Sequence, residues 1–368
     1  MRYCSVKLEN FRNYKERAFE FHEKVNLFIG NNAVGKTNLL ESLYITSYGK
    51  SFRTTKDKEL ILFGEEYCKI TGIFEREITG DDKNIIEIRF GIDGSRKGNV
   101  NGLDFQKYSD IFDHVLAVVF SPEDLKIIKE SPDRRRDFMD LELGRLSLAY
   151  YRDLMIYKRA LQQRNAYLKE DTRDIRMLAV WDEHLVKYGA RIILARIGFI
   201  EKLDRICRKI HEELTGGKEE IRLEYDANIP VALEEGKEKR EQLHILEELL
   251  RSVFEESRET DLRLRYTSKG PQKDDITVYL DGIPARNFAS QGQQRTAALS
   301  MKLSEVELVK EEKGEYPILL LDDVLSELDT DRQSFLINAL EEVQLFITAT
   351  DLSPDVMEHL PESKVIRI

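Results

Sequence analysis

The chain has 368 residues, of which 34% are charged, and a formal net charge of −11. This length suits about two domains and one sizeable core. The negative total argues against indiscriminate coating of nucleic acid, although it leaves room for a local basic groove. No apolar stretch approaches the roughly 18–20 residues of a membrane span, and three scattered cysteines form neither a metal spacing nor a disulfide framework. We expect a cytoplasmic protein without a signal peptide or a membrane partner.

The first 120 residues carry the alternation of apolar and polar side chains that is typical of strands. Four alternating stretches predict antiparallel ribbons: residues 3–8, 17–21, 67–74 and 85–90. The apolar run 115–120 predicts a fully buried strand, which Ser121 and Pro122 end.

A phosphate-binding loop is predicted where the apolar strand 25–29 runs into Gly30-Asn-Asn-Ala-Val-Gly-Lys-Thr37. Its glycines permit a tight path that points backbone N–H groups at phosphate oxygens, and Lys36 supplies a cation for the β- and γ-phosphates. Thr37 offers a hydroxyl to Mg²⁺, and the following helix adds its positive end. The residues predicted to bind the nucleotide are Gly30, Asn31, Asn32, Ala33, Val34, Gly35, Lys36, Thr37 and Asn38.

From about residue 132 the apolar period becomes helical. One stripe continues from Trp181 to Leu214 and ends at the stop signal 215–217, and the polar stretch 169–176 separates it from an earlier stripe. A further helix is predicted over about 237–256. These stripes predict a long antiparallel helical pair, which we call the arm.

Strands are predicted again at 262–266 and 276–280. The segment Ser290-Gln-Gly-Gln-Gln-Arg295 opens a predicted helix that reaches about residue 312. Buried strands follow at 318–321 and 344–348.

The first of these two buried strands ends in an acidic pair. Asp322 is placed to hold Mg²⁺ directly or through water, and Asp323 to polarise an attacking water. A capped strand end is the simpler interpretation of the pair. The glycine loop and this strand lie at opposite ends of the chain. If both serve one nucleotide site, the fold must bring them together around one triphosphate.

These elements predict an α/β fold with a discontinuous head, residues 1–125 and 280–368. The head combines a P-loop layer with an antiparallel β subdomain. Residues 126–279 form an inserted, mainly helical arm domain.

The order of glycine loop, helical insertion, Ser-Gln-Gly loop and acidic strand resembles the ABC-type ATPase heads of SMC-like proteins, and in particular the RecF family of bacterial recombination mediators. The segments that carry the resemblance are 8–14, 30–37, 51–54, 121–125, 131–136, 270–275, 290–295 and 319–329. One departure is Gln272-Lys273, where the family usually has His-Arg.

The resemblance implies ATP and Mg²⁺ as cofactors, with Lys36 and Asp323 as catalytic residues and Thr37 and Asp322 as metal ligands. Ser290, Gly292 and Gln293 of the signature loop (residues 290–295) would contact the γ-phosphate held by a second subunit. ATP would then join two heads into a homodimer, and hydrolysis would release them. Many ABC ATPases have a longer glutamate in place of Asp323 and a switch histidine near residues 349–351, so slow, DNA-stimulated hydrolysis is expected.

The implied role is recombinational DNA repair and replication restart. RecO and RecR are the implied protein partners, and duplex DNA and single-strand/duplex junctions are the implied nucleic acids. No base-reading motif is evident, which favours recognition of shape.

Basic clusters are the candidate DNA contacts, because Lys and Arg bind phosphates with little sequence preference. The predicted contacts are Lys50, Arg53, Lys56 and Lys58 in the head, and Arg134 and Arg135 after the segment 131–133. Further candidates on the arm are Lys158, Arg159, Arg164, Arg191, Arg196, Lys202, Arg205, Arg208 and Lys209. A solvated face is the alternative for each cluster, and attachment of the arm to the head is an alternative for 134–136.

Two other classes of protein share these motifs. One is the nucleotide-binding subunit of a transporter, against which the helical insertion and the missing switch histidine argue. The other is an SMC-like clamp with idle nucleotide sites, against which the intact Lys36, Thr37 and acidic pair argue.

Overall fold

We analysed a computed structural model, which describes residues 1–31, 33–76, 80–105, 107–112, 114–170, 175–233, 236–338, 340, 342–350 and 362–368. The chain divides into two compact units, Met1–Leu125 with Glu305–Ile368, and Lys126–Ser304. In this division residues 280–304 belong to the second unit, so their assignment to the ATPase head stays a prediction.

The strands form three sheets. In chain order they are β1 (Arg2–Phe11), β2 (Tyr14–Glu20), β3 (Val25–Ile29), β4 (Tyr67–Arg76), β5 (Gly80–Gly91), β6 (Arg96–Val100), β7 (Leu103–Asp104), β8 (Ala117–Phe120), β9 (Ile221–Asp226), β10 (Asp275–Leu280), β11 (Ile283–Pro284), β12 (Ile318–Asp322), β13 (Leu345–Ala349) and β14 (Ser363–Arg367). The first unit has a six-stranded antiparallel sheet, β2-β1-β4-β5-β6-β7, and a five-stranded parallel sheet, β14-β3-β13-β12-β8. The second unit has a three-stranded antiparallel sheet, β11-β10-β9.

Most helices belong to the second unit. In chain order the helices are α1 (Lys36–Tyr48), α2 (Pro132–Leu146), α3 (Leu148–Tyr167), α4 (Ile175–Thr215), α5 (Lys239–Leu264), α6 (Ala285–Phe288), α7 (Gln291–Lys313) and α8 (Thr330–Asn338). Helices α1 and α8 belong to the first unit, and α7 contributes residues 291–304 to the second unit and 305–313 to the first. Among the described residues, no helix combines the length and apolarity that crossing a membrane requires.

The parallel sheet is the core of the first unit. Consecutive residues of β3 and β12 are buried, as a parallel sheet covered on both faces requires. Phe21 and Phe346 pack edge to face on this core, with ring centroids 4.9 Å apart. The parallel register pairs Ile347 with Leu27 on one side, and Thr348 with Asp322 on the other. The carboxyl ends of β3, β13 and β12 therefore lie at one edge.

The long helix of the second unit confirms the predicted apolar stripe. Helix α4 runs for 41 residues and ends at Thr215. Gly216 and Gly217 follow with φ angles of 63° and 72°, a left-handed conformation that glycine adopts without a steric penalty and that ends the helix. The predicted antiparallel ribbons and the helix after Ser290 are also confirmed.

The predicted strand at 262–266 is wrong, because residues 262–264 are the last turn of α5. Asp261 is fully buried there and accepts hydrogen bonds from Arg164 and from the backbone and hydroxyl of Ser268, which hold the helix end in place. Arg265 then caps the helix with a φ of 60°. The Leu-Arg-Leu-Arg alternation alone fits either structure. Strands β9 and β14 were not predicted.

Two arginines that were candidate DNA contacts are buried in the second unit. Arg164 donates to Asp182 Oδ1 at 2.8 Å, to Asp261 Oδ2 at 2.7 Å and to Thr267 Oγ1 at 2.8 Å. Arg196 donates to Asp140 Oδ1 and to a backbone carbonyl, each at 2.7 Å. Both guanidinium groups stabilise the arm, so neither is available to a phosphate.

Replacing Arg164 with alanine is expected to lower the free energy of unfolding by about 3–5 kcal/mol, because Asp261 would keep a buried charge without its counter-ion. Denaturant-induced unfolding measures this loss. Arg159→Ala, an exposed position on the same helix, is the matched control and should change stability by less than about 0.5 kcal/mol. Equal stability of the two variants would contradict the structural role of Arg164.

Candidate nucleotide-binding site

The glycine loop surrounds a lysine ammonium. Lys36 is nearly buried, and its Nζ donates to the carbonyl oxygens of Gly30 at 2.5 Å and Asn31 at 3.0 Å. The loop therefore already holds one positive charge at its centre, where phosphate oxygens would meet it. Of the predicted loop residues, Asn32 lies outside the described residues.

The backbone of the loop exposes the amino end of α1. Gly35 precedes the helix with a φ of 118°, no side chain caps the helix, and its first turn contains no acidic residue. The first N–H groups are thus left to an external acceptor, and the helix dipole favours an anion there. Ala33 has a φ of 66°, a conformation that costs energy for a residue other than glycine.

Residues of the β1–β2 connection brace the loop from the antiparallel sheet. Asn13 Nδ2 donates to Val34 O at 2.8 Å, and Tyr14 OH donates to Gly35 O at 3.0 Å. Asn38 Nδ2 donates to Asn13 Oδ1 at 2.9 Å. A Cβ on Gly35 would lie 2.7 Å from Asn13 Nδ2, so glycine is required on steric grounds as well. The segment 8–14 carries the family resemblance, but the sequence did not predict that it supports the glycine loop.

Three side chains meet at the edge of the parallel sheet. The hydroxyls of Thr37 and Thr348 each donate to Asp322 Oδ1 at 2.9 Å, and the backbone N–H of Asp323 donates to Thr348 Oγ1 at 2.9 Å. Burial raises the pKa of Asp322. The hydrogen bonds from the two hydroxyls and the charge of Arg53 oppose this rise. Asp323 is exposed and has a φ of 55°, so the residue expected to polarise water sits in a strained conformation.

Thr348 is the residue that sequence reasoning missed at this edge. It belongs to β13, which lies between β3 and β12, and the lateral register alone brings it to Asp322. No local motif marks it, although it follows an apolar run in the predicted strand 344–348. Thr350 is described and Asp351 lies outside the described residues, so the missing switch histidine stays a sequence observation.

The donor set at this edge fits Mg²⁺. The ion prefers hard oxygen ligands, and it usually takes one or two from the protein and the rest from phosphates and water. Thr37 and Asp322 present a hydroxyl and a carboxylate 2.9 Å apart. The described part of the chain contains no group of three or more His, Cys, Asp or Glu side chains arranged to hold a metal without a bound phosphate.

Arg53, predicted as a DNA contact, lies beside the nucleotide loop. Its Nη1 donates to Asn38 Oδ1 at 2.7 Å, and its charge opposes the rise that burial causes in the pKa of Asp322. On its other side Arg53 pairs with the buried carboxylate of Glu41. The same carboxylate also pairs with Arg12 at 2.6 Å and accepts a hydrogen bond from Ser51. Arg53 therefore lies among the residues predicted to bind the nucleotide.

The other predicted DNA contacts differ in exposure. Lys50, Lys56 and Lys58 are exposed, and Lys56 Nζ lies 3.6 Å from Glu59. Arg134 is mostly exposed and pairs with Glu130 at 3.2 Å. Arg135 is buried, pairs with Asp275 at 2.6 Å and donates to the carbonyls of Ile127 and Glu130, so its geometry argues against a role in DNA binding.

The signature loop lies in the second unit, at the amino end of α7. Gln293 N donates to Ser290 Oγ at 3.3 Å, and Ser290 N donates to Gln293 Oε1 at 2.9 Å, a reciprocal capping arrangement. The Ser290 hydroxyl accepts from its own helix and donates to no other group in the part of the chain that the structure describes, so it can donate to an external oxygen. The space above Gly292 is open, since a Cβ there would come no nearer than 4.0 Å to Ser290 Oγ.

The departure at Gln272-Lys273 is accommodated within the second unit. Gln272 accepts a hydrogen bond from Tyr157 and donates to Lys269 O at 2.6 Å. Lys273 Nζ lies 5.1 Å from the centre of the Tyr266 ring. These two residues have internal contacts.

A glycine loop before a helix, an acidic strand end at the same sheet edge, and an inserted helical unit that ends in a signature loop define an SMC-like, ABC-type ATPase head. A family described as RecF/RecN/SMC N terminal domain matches residues 4–366. The DNA replication and repair protein RecF of Clostridium tetani is 42% identical over 368 residues, which cover 99% of this chain and 96% of the relative. RecF of Clostridium acetobutylicum is 43% identical over 354 residues, covering 96% and 93%. The chain belongs to the RecF family.

Solved structures agree with this assignment. The recombination mediator protein RecF-ATPrS in the RecFOR pathway has a TM-score of 0.91 at 37% identity, and covers 100% of this chain and 96% of that one. The corresponding RecF-ATP structure has a TM-score of 0.87 at 38% identity, covering 96% and 92%. An SMC head bound to the C-winged helix domain of ScpA has a TM-score of 0.57 at 16% identity, covers 99% and 93%, and supports the fold alone.

Thr348→Val keeps the shape of the side chain but removes the hydroxyl that joins Asp322 to the backbone of Asp323. We expect the free energy of unfolding to fall by about 1–3 kcal/mol, because the Asp323 N–H loses its acceptor. We also expect a smaller stabilisation by ATP with Mg²⁺, since Asp322 loses one of two orienting donors. Denaturant unfolding with and without ATP and Mg²⁺ measures both, and Thr348→Ser should restore both. A valine variant indistinguishable from the parent would remove Thr348 from the site.

Proposed function

We propose that this protein is an ATP-dependent DNA-binding protein of recombinational DNA repair and replication restart, acting in the cytoplasm. The observation that carries the proposal is the junction of Thr37 and Asp322, 2.9 Å apart beside a loop that holds Lys36. Two comparisons support it. The relatives are named DNA replication and repair protein RecF, and a similar solved structure is described as RecF-ATP.

In this proposal the nucleotide lies along the glycine loop. The N–H groups from Gly30 to Asn38 and the Lys36 ammonium bind its phosphates. Thr37 and Asp322 would hold Mg²⁺, which neutralises phosphate charge when bound. Arg53 adds a second cation at the same edge, and Asp323 orients and polarises the attacking water.

Slow turnover follows from the position of Asp323. Its carboxylate is one methylene shorter than the glutamate of many ABC ATPases, and an error near 1 Å in the position of a reacting group can cost about 100-fold in rate. The hydrogen bond from its backbone to Thr348 holds it at the strand end. We propose a weak ATPase that DNA stimulates and that times the release of a dimer.

ATP joins two heads in this proposal. The Ser290 hydroxyl and the exposed first residues of α7 suit the γ-phosphate of a nucleotide bound by a second copy of the chain. Gly292 has no side chain, which leaves space for a phosphate to approach the backbone. Each dimer then has two composite sites.

The proposed partners are DNA and two proteins of the RecO and RecR type. DNA contacts come from the exposed residues Lys50, Lys56, Lys58 and Arg134, which bind phosphates of duplex and junction DNA. Membership of the RecF family favours this role over a transporter subunit. The intact Lys36, Thr37, Asp322 and Asp323 favour it over an idle clamp.

Changing Asp323 to asparagine is expected to leave ATP binding intact and to prolong the ATP-dependent dimer, because only the polarisation of water is lost. Hydrolysis should fall by about 100-fold or more. Sedimentation with ATP, with ADP and without nucleotide measures the dimer, and phosphate release measures turnover. Unchanged hydrolysis would remove Asp323 from the mechanism.

Two control variants separate binding from pairing in that experiment. Lys36→Ala should lose ATP binding and the dimer together, because the phosphates lose their cation. Ser290→Arg should bind ATP like the parent and yet remain a monomer, since its bulk and charge block the second subunit. Loss of ATP binding in Ser290→Arg as severe as in Lys36→Ala would mean that the loop acts within its own subunit.

Binding of duplex DNA is expected to tighten with ATP and to weaken more steeply with salt when ATP is present. Pairing would roughly double the number of phosphates neutralised, and the logarithm of the binding constant falls with a slope of about −0.9 per phosphate contact. Fluorescence anisotropy over a salt series measures both slopes. Equal salt slopes with and without ATP would favour DNA binding by one face of the monomer.

Charge reversal locates the DNA surface in the same assay. Lys56→Glu with Lys58→Glu tests the head cluster, and Arg134→Glu tests the second unit. Lys83→Glu with Lys97→Glu, two exposed lysines outside the predicted clusters, is the matched control for the head pair. Arg53 and Arg135 are left unchanged because one lies at the nucleotide site and the other is buried.

A further inference from the structure

The signature loop is tied to the chain segment that follows the long helix α4. Gln293 Nε2 donates to Glu219 Oε1 at 2.9 Å, across 74 residues of sequence. Glu219 stands just after the glycine stop of α4 and before β9, so an acidic residue of the arm contacts the loop.

This contact fixes the orientation of the Gln293 amide. Its NH₂ group faces a carboxylate, which can only accept, and its oxygen faces the Ser290 N–H, which can only donate. A rotated amide would lose both hydrogen bonds. With the amide fixed, Gln293 holds the backbone of Ser290, and the Ser290 hydroxyl in turn caps the helix through Gln293 N.

A histidine on α4 lies near the other oxygen of the carboxylate. His211 is fully buried, with Nδ1 2.9 Å from Ser300 Oγ on α7 and Nε2 3.7 Å from Glu219 Oε2. Burial lowers the pKa of His211, and the charges of Glu219 and Asp281 act in the opposite direction. Its Nε2 has no hydrogen-bond partner among the described residues. Helix α4 therefore contacts α7 near Ser300, and the segment after α4 contacts it near Gln293.

The hairpin before the loop anchors the same segment. The backbone N–H of Asp281 donates to Glu220 O at 2.9 Å, and the backbone N–H of Glu220 donates to the Asp281 carboxylate at 2.9 Å. This bond continues the pairing of Ile221 with Leu280. The sheet thus holds the backbone next to Glu219 without any contribution from Gln293.

We propose that Glu219 is a positioning residue for the signature loop, which orients Gln293 and thereby presents the Ser290 hydroxyl to the nucleotide of a second copy of the chain. The inference rests on the proposed ATP-driven pairing and adds a residue outside the signature loop to it. Through Glu219, the affinity of the loop for the partner's nucleotide depends on the position of the segment that joins α4 to β9.

The first test measures the dissociation constant of the ATP-dependent dimer by sedimentation. Glu219→Ala should raise it about ten-fold, the effect of one charge-assisted hydrogen bond, and leave ATP binding by the monomer unchanged. Glu219→Gln should stay within about three-fold of the parent, because an amide oxygen accepts the same bond. Glu220→Ala is the matched control, since that side chain is mostly exposed and lies 3.9 Å from Arg208.

A double-mutant cycle separates positioning from a general loss of stability. Gln293→Ala should weaken the dimer in the parent and have much less effect in the Glu219→Ala background, because the two side chains act through one contact. Additive losses, or a Glu219→Ala dimer as tight as the parent, would overturn the proposal. So would a Glu219→Gln variant as weak as Glu219→Ala.

The second test needs no dimer and therefore separates this inference from the proposed function. In the nucleotide-free protein, amide hydrogen exchange at residues 291–296 should be several-fold faster in Glu219→Ala than in the parent or in Glu220→Ala. Equal exchange in all three proteins would refute the positioning role even if ATP drives pairing. Faster exchange with no pairing of the parent on ATP would refute the proposed function and leave the positioning of the loop supported.

Discussion

The nucleotide site depends on the parallel register of three adjacent strands. Strand β13 lies between the strand that enters the glycine loop and the strand that ends in the acidic pair. Pairing of Thr348 with Asp322 in that register sets the carboxylate beside the hydroxyl of Thr37, a residue 285 positions away in sequence. A one-residue slip would turn every side chain of the strand to the other face and separate these groups.

Strain at the site is maintained by contacts outside it. Ala33 and Asp323 both adopt left-handed backbone conformations that are costly for residues other than glycine. Asn13 and Tyr14 hold the carbonyls that follow Ala33, and Thr348 and Ser326 hold the backbone on either side of Asp323. The antiparallel sheet and β13 thus preorganise groups that would otherwise relax, which is the condition for electrostatic stabilisation of a reacting phosphate.

The basic residues of this protein lie in three different environments that composition does not separate. Arg164, Arg196 and Arg135 are buried against carboxylates and stabilise the second unit. Arg53 stands beside the nucleotide loop, and Arg134 with the head lysines remains exposed. The buried arginines are removed from the candidate DNA contacts, so fewer basic residues can meet a phosphate than the basic runs suggest.

Local sequence determined the glycine loop, the acidic strand end, the amino end of α7 and the 41-residue helix, because each follows from short-range periodicity or from turn chemistry. The tertiary structure decided what depends on contacts between distant segments. It ended α5 through the buried Asp261 where alternation predicted a strand, and it brought Thr348 to Asp322 and Glu219 to Gln293. The burial of three arginines belongs to the same class, since whether a guanidinium meets water or a carboxylate is set by packing and by no pattern of neighbours in sequence.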